Sequence, residues 1–86
     1  MVKNYMEIMV DNLLPTVLDK YSNICTCEKC IEDIKAIALN SLKPTYVVSE
    51  EGNIFVKTNE LSIQFKADVL GALTKAIEIV SKNPKH

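Results

Sequence analysis

Three stretches of apolar residues recur at three- and four-residue spacing, and this periodicity constrains the chain more than any other feature. The first runs through Val2, Met6, Met9, Val10, Leu13, Leu14, Val17, Leu18 and Tyr21, the stripe of an amphipathic helix. Pro15 falls inside it, removing one donor and crowding the carbonyl of Asp11, while the stripe keeps its phase on both sides. That combination predicts a kinked helix, with two shorter helices as the alternative. The second stripe, Cys30, Ile31, Ile34, Ile37, Ala38 and Leu42, predicts a helix over 27–42 that Lys43-Pro44 ends, because the residue before a proline is disfavoured in the α region. The third, Phe65, Val69, Leu70, Leu73, Ala76, Ile77 and Val80, predicts a helix ending near Ser81-Lys82-Asn83, with Pro84 just beyond. Its start is ambiguous, since Leu61, Ile63 and Phe65 alternate with period two.

Between the second and third stripes lie two β-branched and aromatic runs, Thr45–Ser49 and Asn53–Thr58, flanking Glu50-Glu51-Gly52. This reads as a short β-hairpin with Gly52 available for a positive φ. The expected fold is mainly α with a short hairpin (α+β): three helices, the hairpin between helices two and three, in one domain spanning 1–86. Two strands alone are marginal in water, so the hairpin must lie on the helices or pair with another edge, such as its own copy in a dimer. A chain of 86 residues also buries only about 60–65% of its unfolded surface, so a metal, disulfides or a partner subunit is expected to supplement the core.

Charge narrows the partners. Ten lysines face eleven acidic residues for a net charge of −1, which lacks the basic footprint of a protein that binds long nucleic acid. Arginine is absent, so any anion must be met by Lys, backbone N–H groups or a metal, without a bidentate guanidinium fork. No apolar run approaches the roughly 18–20 residues of a membrane span, and the N-terminal stretch lacks a small-residue cleavage site, so a cytoplasmic chain is expected.

All three cysteines fall within Cys25-Thr26-Cys27-Glu28-Lys29-Cys30, and in a reducing compartment so dense a cluster reads first as a metal site. Cys25 and Cys27 cannot share a helical face, whereas Cys27 and Cys30 can share the first turn, so a loop sulfur and two helix-start sulfurs would wrap Zn2+ together. Structural zinc wants four ligands. His86, the single histidine, becomes the first candidate for the fourth if helix three returns antiparallel to helix two. Asp33, Glu28, a water or a group from a second subunit follow it, and a frayed terminal residue is the plain alternative for His86. A disulfide or redox role is the second reading of the thiols, and inert core thiols the third. No nucleophile-with-base constellation or glycine-rich phosphate loop accompanies the cluster, so an enzyme is not expected.

The run from Cys25 through Ile34, followed by Ala38-Leu39-Asn40-Ser41-Leu42-Lys43-Pro44-Thr45-Tyr46-Val47-Val48-Ser49, resembles the ComFB family, named for late competence development. Asn4-Tyr5-Met6-Glu7 before it, and Asp68-Val69 and Asn83-Pro84-Lys85-His86 after it, look like the same pattern, so the resemblance covers nearly the whole chain. Lys43 intervenes where the family pattern usually shows Leu-Pro. The resemblance implies a small, mainly helical cytosolic homodimer whose cysteines bind zinc, and some relatives are understood to be receptors for cyclic dinucleotides.

On that reading Asn40 would offer its amide to a base edge, Tyr46 would stack on a base and Lys43 would pair with phosphate, with Tyr5 and Lys57 as weaker candidates of the same kind. The structural alternatives are a buried Asn40 bonded to backbone and a Tyr46 packed in the core. Two functions follow as expectations: a homodimeric cyclic-dinucleotide receptor, or a zinc-stabilised protein–protein adaptor in competence development that takes no small molecule.

Overall fold

The computed structural model describes residues 2–48 and 59–82, and these form β1 (Val2–Asn4), α1 (Tyr5–Leu18), α2 (Glu28–Ser41), β2 (Tyr46–Val48) and α3 (Asn59–Lys82). The core is the intersection of three stripes. Helix α1 contributes Met6, Val10, Leu14 and Val17, α2 contributes Cys30, Ile34 and Ala38, and α3 contributes Val69, Leu73, Ala76, Ile77 and Val80, all buried. The sets step by three or four residues, with Ala76 and Ile77 adjacent on α3, so each helix turns one face to the other two. No polar or charged side chain is buried among the described residues. Helix α3 runs antiparallel to α2: the last turn of α3, at Val80 and Ser81, shares a cleft with Cys30 at the start of α2, and Ala67 and Asp68 share another with Ser41 and Leu42 at its end.

The mainly helical, three-helix architecture expected from periodicity is the one observed, with boundaries that differ instructively. Helix α1 starts at Tyr5, because Val2–Asn4 is extended and pairs antiparallel with β2, in the register Val2↔Val48, Lys3↔Val47 and Asn4↔Tyr46. Val2 entered the predicted stripe only because it stands four residues before Met6. The Asn4 Oδ1 accepts the N–H of Met6 at 3.2 Å, closing the N-terminus of α1, and also the N–H of Thr45 at 3.0 Å. One side chain therefore caps a helix and fixes the strand pair beside it.

Pro15 does not divide α1 into two helices. It sits three residues before the last helical residue, Leu18, where the helix has less than one more turn to run, and the chain then closes through Asp19, Lys20 and Tyr21 N–H bonds to the carbonyls of Pro15, Val17 and Leu18 at 3.0–3.1 Å. Helix α3 begins at Asn59, so the period-two stretch belongs to the helix. Ile63 lies outward and 68% exposed, while Phe65 packs its ring 5.9 Å from that of Tyr5. Of the predicted hairpin, the first strand is present as β2 and pairs with β1; the predicted second strand, 53–58, and Lys57 within it lie outside the described residues.

Candidate metal centre

The cysteines are positioned by a turn and a helix start. After α1 ends, Asn23 takes φ 63, a left-handed conformation that asparagine tolerates better than most residues. The chain then passes Ile24 and Cys25 and enters α2. Cys27 is the N-cap, extended at φ −66 and ψ 164, and its carbonyl accepts the first helical bond from Ile31 N–H at 2.9 Å. No side-chain oxygen caps this helix. In its place are sulfurs: Cys25, Cys27 and Cys30 hold their Sγ atoms within 4.8 Å of one another. In a tetrahedral site with Zn–S near 2.3 Å the sulfurs would stand about 3.8 Å apart, so the cluster needs to contract by at most about 1 Å.

The three thiols are electrostatically unequal. Cys25 and Cys27 are exposed, and Cys30 is 1% exposed against the core. The amide of Cys30 beside the Cys27 sulfur, helped by the Cys25 side chain, holds the Cys27 thiol below its ordinary value. Burial pushes the Cys30 thiol up to about 12, with the Cys25 and Cys27 side chains adding to the rise. The two thiols are thus biased in opposite directions, and a divalent metal bound by both would have to displace the Cys30 proton against the cost of burial.

The donor set fits zinc. Three soft sulfur ligands gathered this closely suit a Zn2+ site, and the backbone amides of Cys30 and Lys29 lie beside the Cys27 sulfur. Neither Glu28 nor Asp33 belongs to the sulfur group; Asp33 is engaged by Lys29 Nζ at 3.2 Å on the exposed side of α2. Beside the thiols lies a cleft of about 220 Å3 walled by Ile24, Cys25, Cys30, Ile34, Ile77, Val80 and Ser81. The C-terminal end of α3 therefore arrives at the cysteines. His86 itself lies outside the described residues.

At the opposite end of α2 the candidate ligand residues are not gathered. Asn40 is exposed on the last turn, not buried, and Tyr46 is 66% exposed on β2, not in the core. Lys43 lines an open groove with Asp68 and Lys75, whereas Tyr46 borders a different one with Val2, Glu7, Ile8 and Asp11. Tyr5 is half-buried against Phe65 and serves packing. Sequence reasoning did not single out Asn23, whose turn aims Cys25, or Ser81, whose position follows only from the antiparallel return of α3. No described helix is long and apolar enough to cross a membrane.

A family model described as late competence development protein ComFB matches residues 3–84. The competence protein ComFB of Bacillus subtilis strain 168 is 30% identical over 84 residues, which cover 98% of this chain and 86% of that protein. The structure reported as a structural characterization of the late competence protein ComFB from Bacillus subtilis superposes with a TM-score of 0.73 at 26% identity, covering 99% of this chain and 93% of that one.

Proposed function

The chain belongs to the ComFB family of late competence development proteins, and from that premise we propose a zinc-stapled, non-enzymatic cytoplasmic regulator that acts as a homodimer and binds a cyclic dinucleotide. The observation that carries the metal part is the set of three sulfurs within 4.8 Å at the start of α2. Zinc there joins the loop before α2 to its first turn, adding stability that an 86-residue core supplies poorly. His86 is the proposed fourth ligand. It stands four residues past Lys82, and four extended residues can span up to about 14 Å from the end of α3 beside the thiol cleft.

Dimerisation is supported by apolar surface. Val2, Tyr46 and Val48 of the strand pair, and Ile63 of α3, are each more than 60% exposed. A two-fold axis would duplicate every side chain, and a ligand with two equivalent halves could then be held by groups that one chain leaves apart. Asn40, Lys43 and Tyr46 are accessible for that role, with Lys43 meeting phosphate in the absence of arginine.

The adaptor reading is favoured by one observation, the distribution of Lys43 and Tyr46 over separate open grooves. Isothermal titration of metal-replete protein with cyclic di-AMP and cyclic di-GMP separates the two. Saturable binding at micromolar concentration or tighter establishes the receptor, and no heat with either ligand leaves the adaptor. Sedimentation equilibrium tests the dimer, which requires about twice the 9.6 kDa chain mass.

A further inference from the structure

Cys27 and Cys30 occupy the N-cap and the third position of α2. These are the two positions whose side chains reach across the first turn towards each other's backbone N–H in a capping box, so both lie over the same turn. Here both groups are sulfurs, 4.8 Å apart or less. One is open to solvent and the other is 1% exposed beneath it. The pair can approach bonding distance by side-chain rotation within one turn. Cys25, by contrast, is separated from Cys27 by a single residue, so a bond between those two would close a much tighter ring and strain the loop.

The geometry points to a reversible Cys27–Cys30 dithiol–disulfide couple, closed by hydrogen peroxide, whose closure withdraws two of the three sulfur donors and releases the metal. The release rests on the zinc reading above, whereas the couple rests on thiol placement alone. In the first step the exposed Cys27 sulfur attacks one peroxide oxygen, the O–O bond breaks, and one water leaves a sulfenic acid on Cys27. In the second, the Cys30 sulfur attacks the Cys27 sulfur while the Cys30 thiol proton passes to the departing hydroxide, so the S–O bond breaks and a second water leaves as the disulfide forms. Two thiols lose two electrons and the peroxide gains them. Cys25 remains as a lone sulfur donor, too few for zinc. A dithiol reductant reverses the couple.

The sequence provides a direct readout, because Lys29 lies between the two cysteines. Trypsin separates peptide 21–29, carrying Cys25 and Cys27, from peptide 30–35, carrying Cys30. Full-length protein is first assayed for zinc, then treated with stoichiometric peroxide while zinc release is followed with a chromogenic chelator and the digest is mapped by mass spectrometry. The expected result is one zinc released per chain and a cross-link joining 21–29 to 30–35, persisting in Cys25→Ser, lost in Cys27→Ser and reversed by dithiothreitol. A bond confined to peptide 21–29, a cross-link lost in Cys25→Ser, or oxidation to sulfinic acid with no cross-link overturns the couple even if zinc is present. Zinc near zero before peroxide sinks the metal reading and the release with it, and the cross-link in wild-type protein still decides the couple.

Discussion

The two ends of α2 carry the chain's two candidate sites, and they are built differently. At its start, Cys25, Cys27 and Cys30 converge from one turn and one helix start, with a buried member against α3. At its end, Asn40, Lys43 and Tyr46 project separately into solvent. Convergent donors on rigid backbone are preorganised, so ligand binding there needs little further ordering. Dispersed groups require either a second copy or a ligand large enough to bridge them. The first end gathers three donors within one chain, and the second leaves its candidates apart.

The largest break in this contrast comes from Cys30→Ser. With zinc a thousandfold above its dissociation constant, the bound metal contributes about 4 kcal/mol, which for a domain of this size corresponds to roughly 15–30 °C in melting temperature. The variant should lose that increment in zinc, and in EDTA should fall below the wild type only by the roughly 1–3 kcal/mol that a hydroxyl costs at this buried core position. A wild-type melting temperature indifferent to EDTA would remove the metal from the account of stability.

Ile34→Ala tests the core under the same end. Ile34 is 1% exposed, one turn from Cys30, and its truncation should cost about 2–5 kcal/mol by urea denaturation, with or without metal. A loss below about 1 kcal/mol would mean that the cleft beside the thiols collapses readily onto smaller side chains.

A third effect is carried by pH and has a definite sign. In metal-free protein the Cys30 thiol is pushed up to about 12 from an ordinary 9.0. The folded chain then retains a proton that the unfolded chain gives up near pH 9, so this contribution is present below pH 9 and is lost as pH rises towards 12. The lowered Cys27 thiol acts oppositely, contributing above pH 9 and losing that contribution as pH falls through its folded value. In EDTA, the urea midpoint should decline above pH 9 more in wild type than in Cys30→Ala; parallel curves would show that the buried thiol is not the source. Zinc uptake at pH 7 must also expel the Cys30 proton, so affinity should rise with pH and binding should acidify an unbuffered solution.

The smallest effects belong to the other end. Asn40→Ala, Lys43→Ala and Tyr46→Ala should each change stability by no more than about 0.5 kcal/mol, because all three side chains are exposed. If they form a nucleotide site, the same changes should weaken its affinity several-fold or more. A stability loss above 1.5 kcal/mol at Tyr46 would show that its ring is covered in the assembled protein.

What could be read from the sequence follows the range of the interactions. The three helices were legible because apolar periodicity is a local signal and one core absorbs all three stripes. The cysteine site was legible for the same reason, since its donors lie within six residues. The pairing of Val2–Asn4 with Tyr46–Val48 joins segments more than forty residues apart, and no local pattern in a three-residue strand announces it. The start of α3 was obscured because Leu61, Ile63 and Phe65 satisfy a strand period while the surrounding chain satisfies a helical one. Nor could spacing show that Asn40 and Tyr46 face solvent, because exposure there depends on where α3 and β1 do not reach.

Asn4 has a consequence for the order of folding. Its Oδ1 takes one amide two residues away and another forty-one residues away. The nearer bond can form as soon as α1 nucleates, but the farther one waits for the chain between Asn4 and Thr45 to close into a loop, an entropic step that comes late. The clasp should therefore be largely unmade in the folding transition state. Asn4→Ala is then expected to quicken unfolding while leaving the refolding rate nearly unchanged, and refolding slowed in proportion to the lost stability would instead place the closed clasp at the nucleus. A single amide oxygen at the edge of the molecule would in that case govern how long the native state persists and have little part in how fast it is reached.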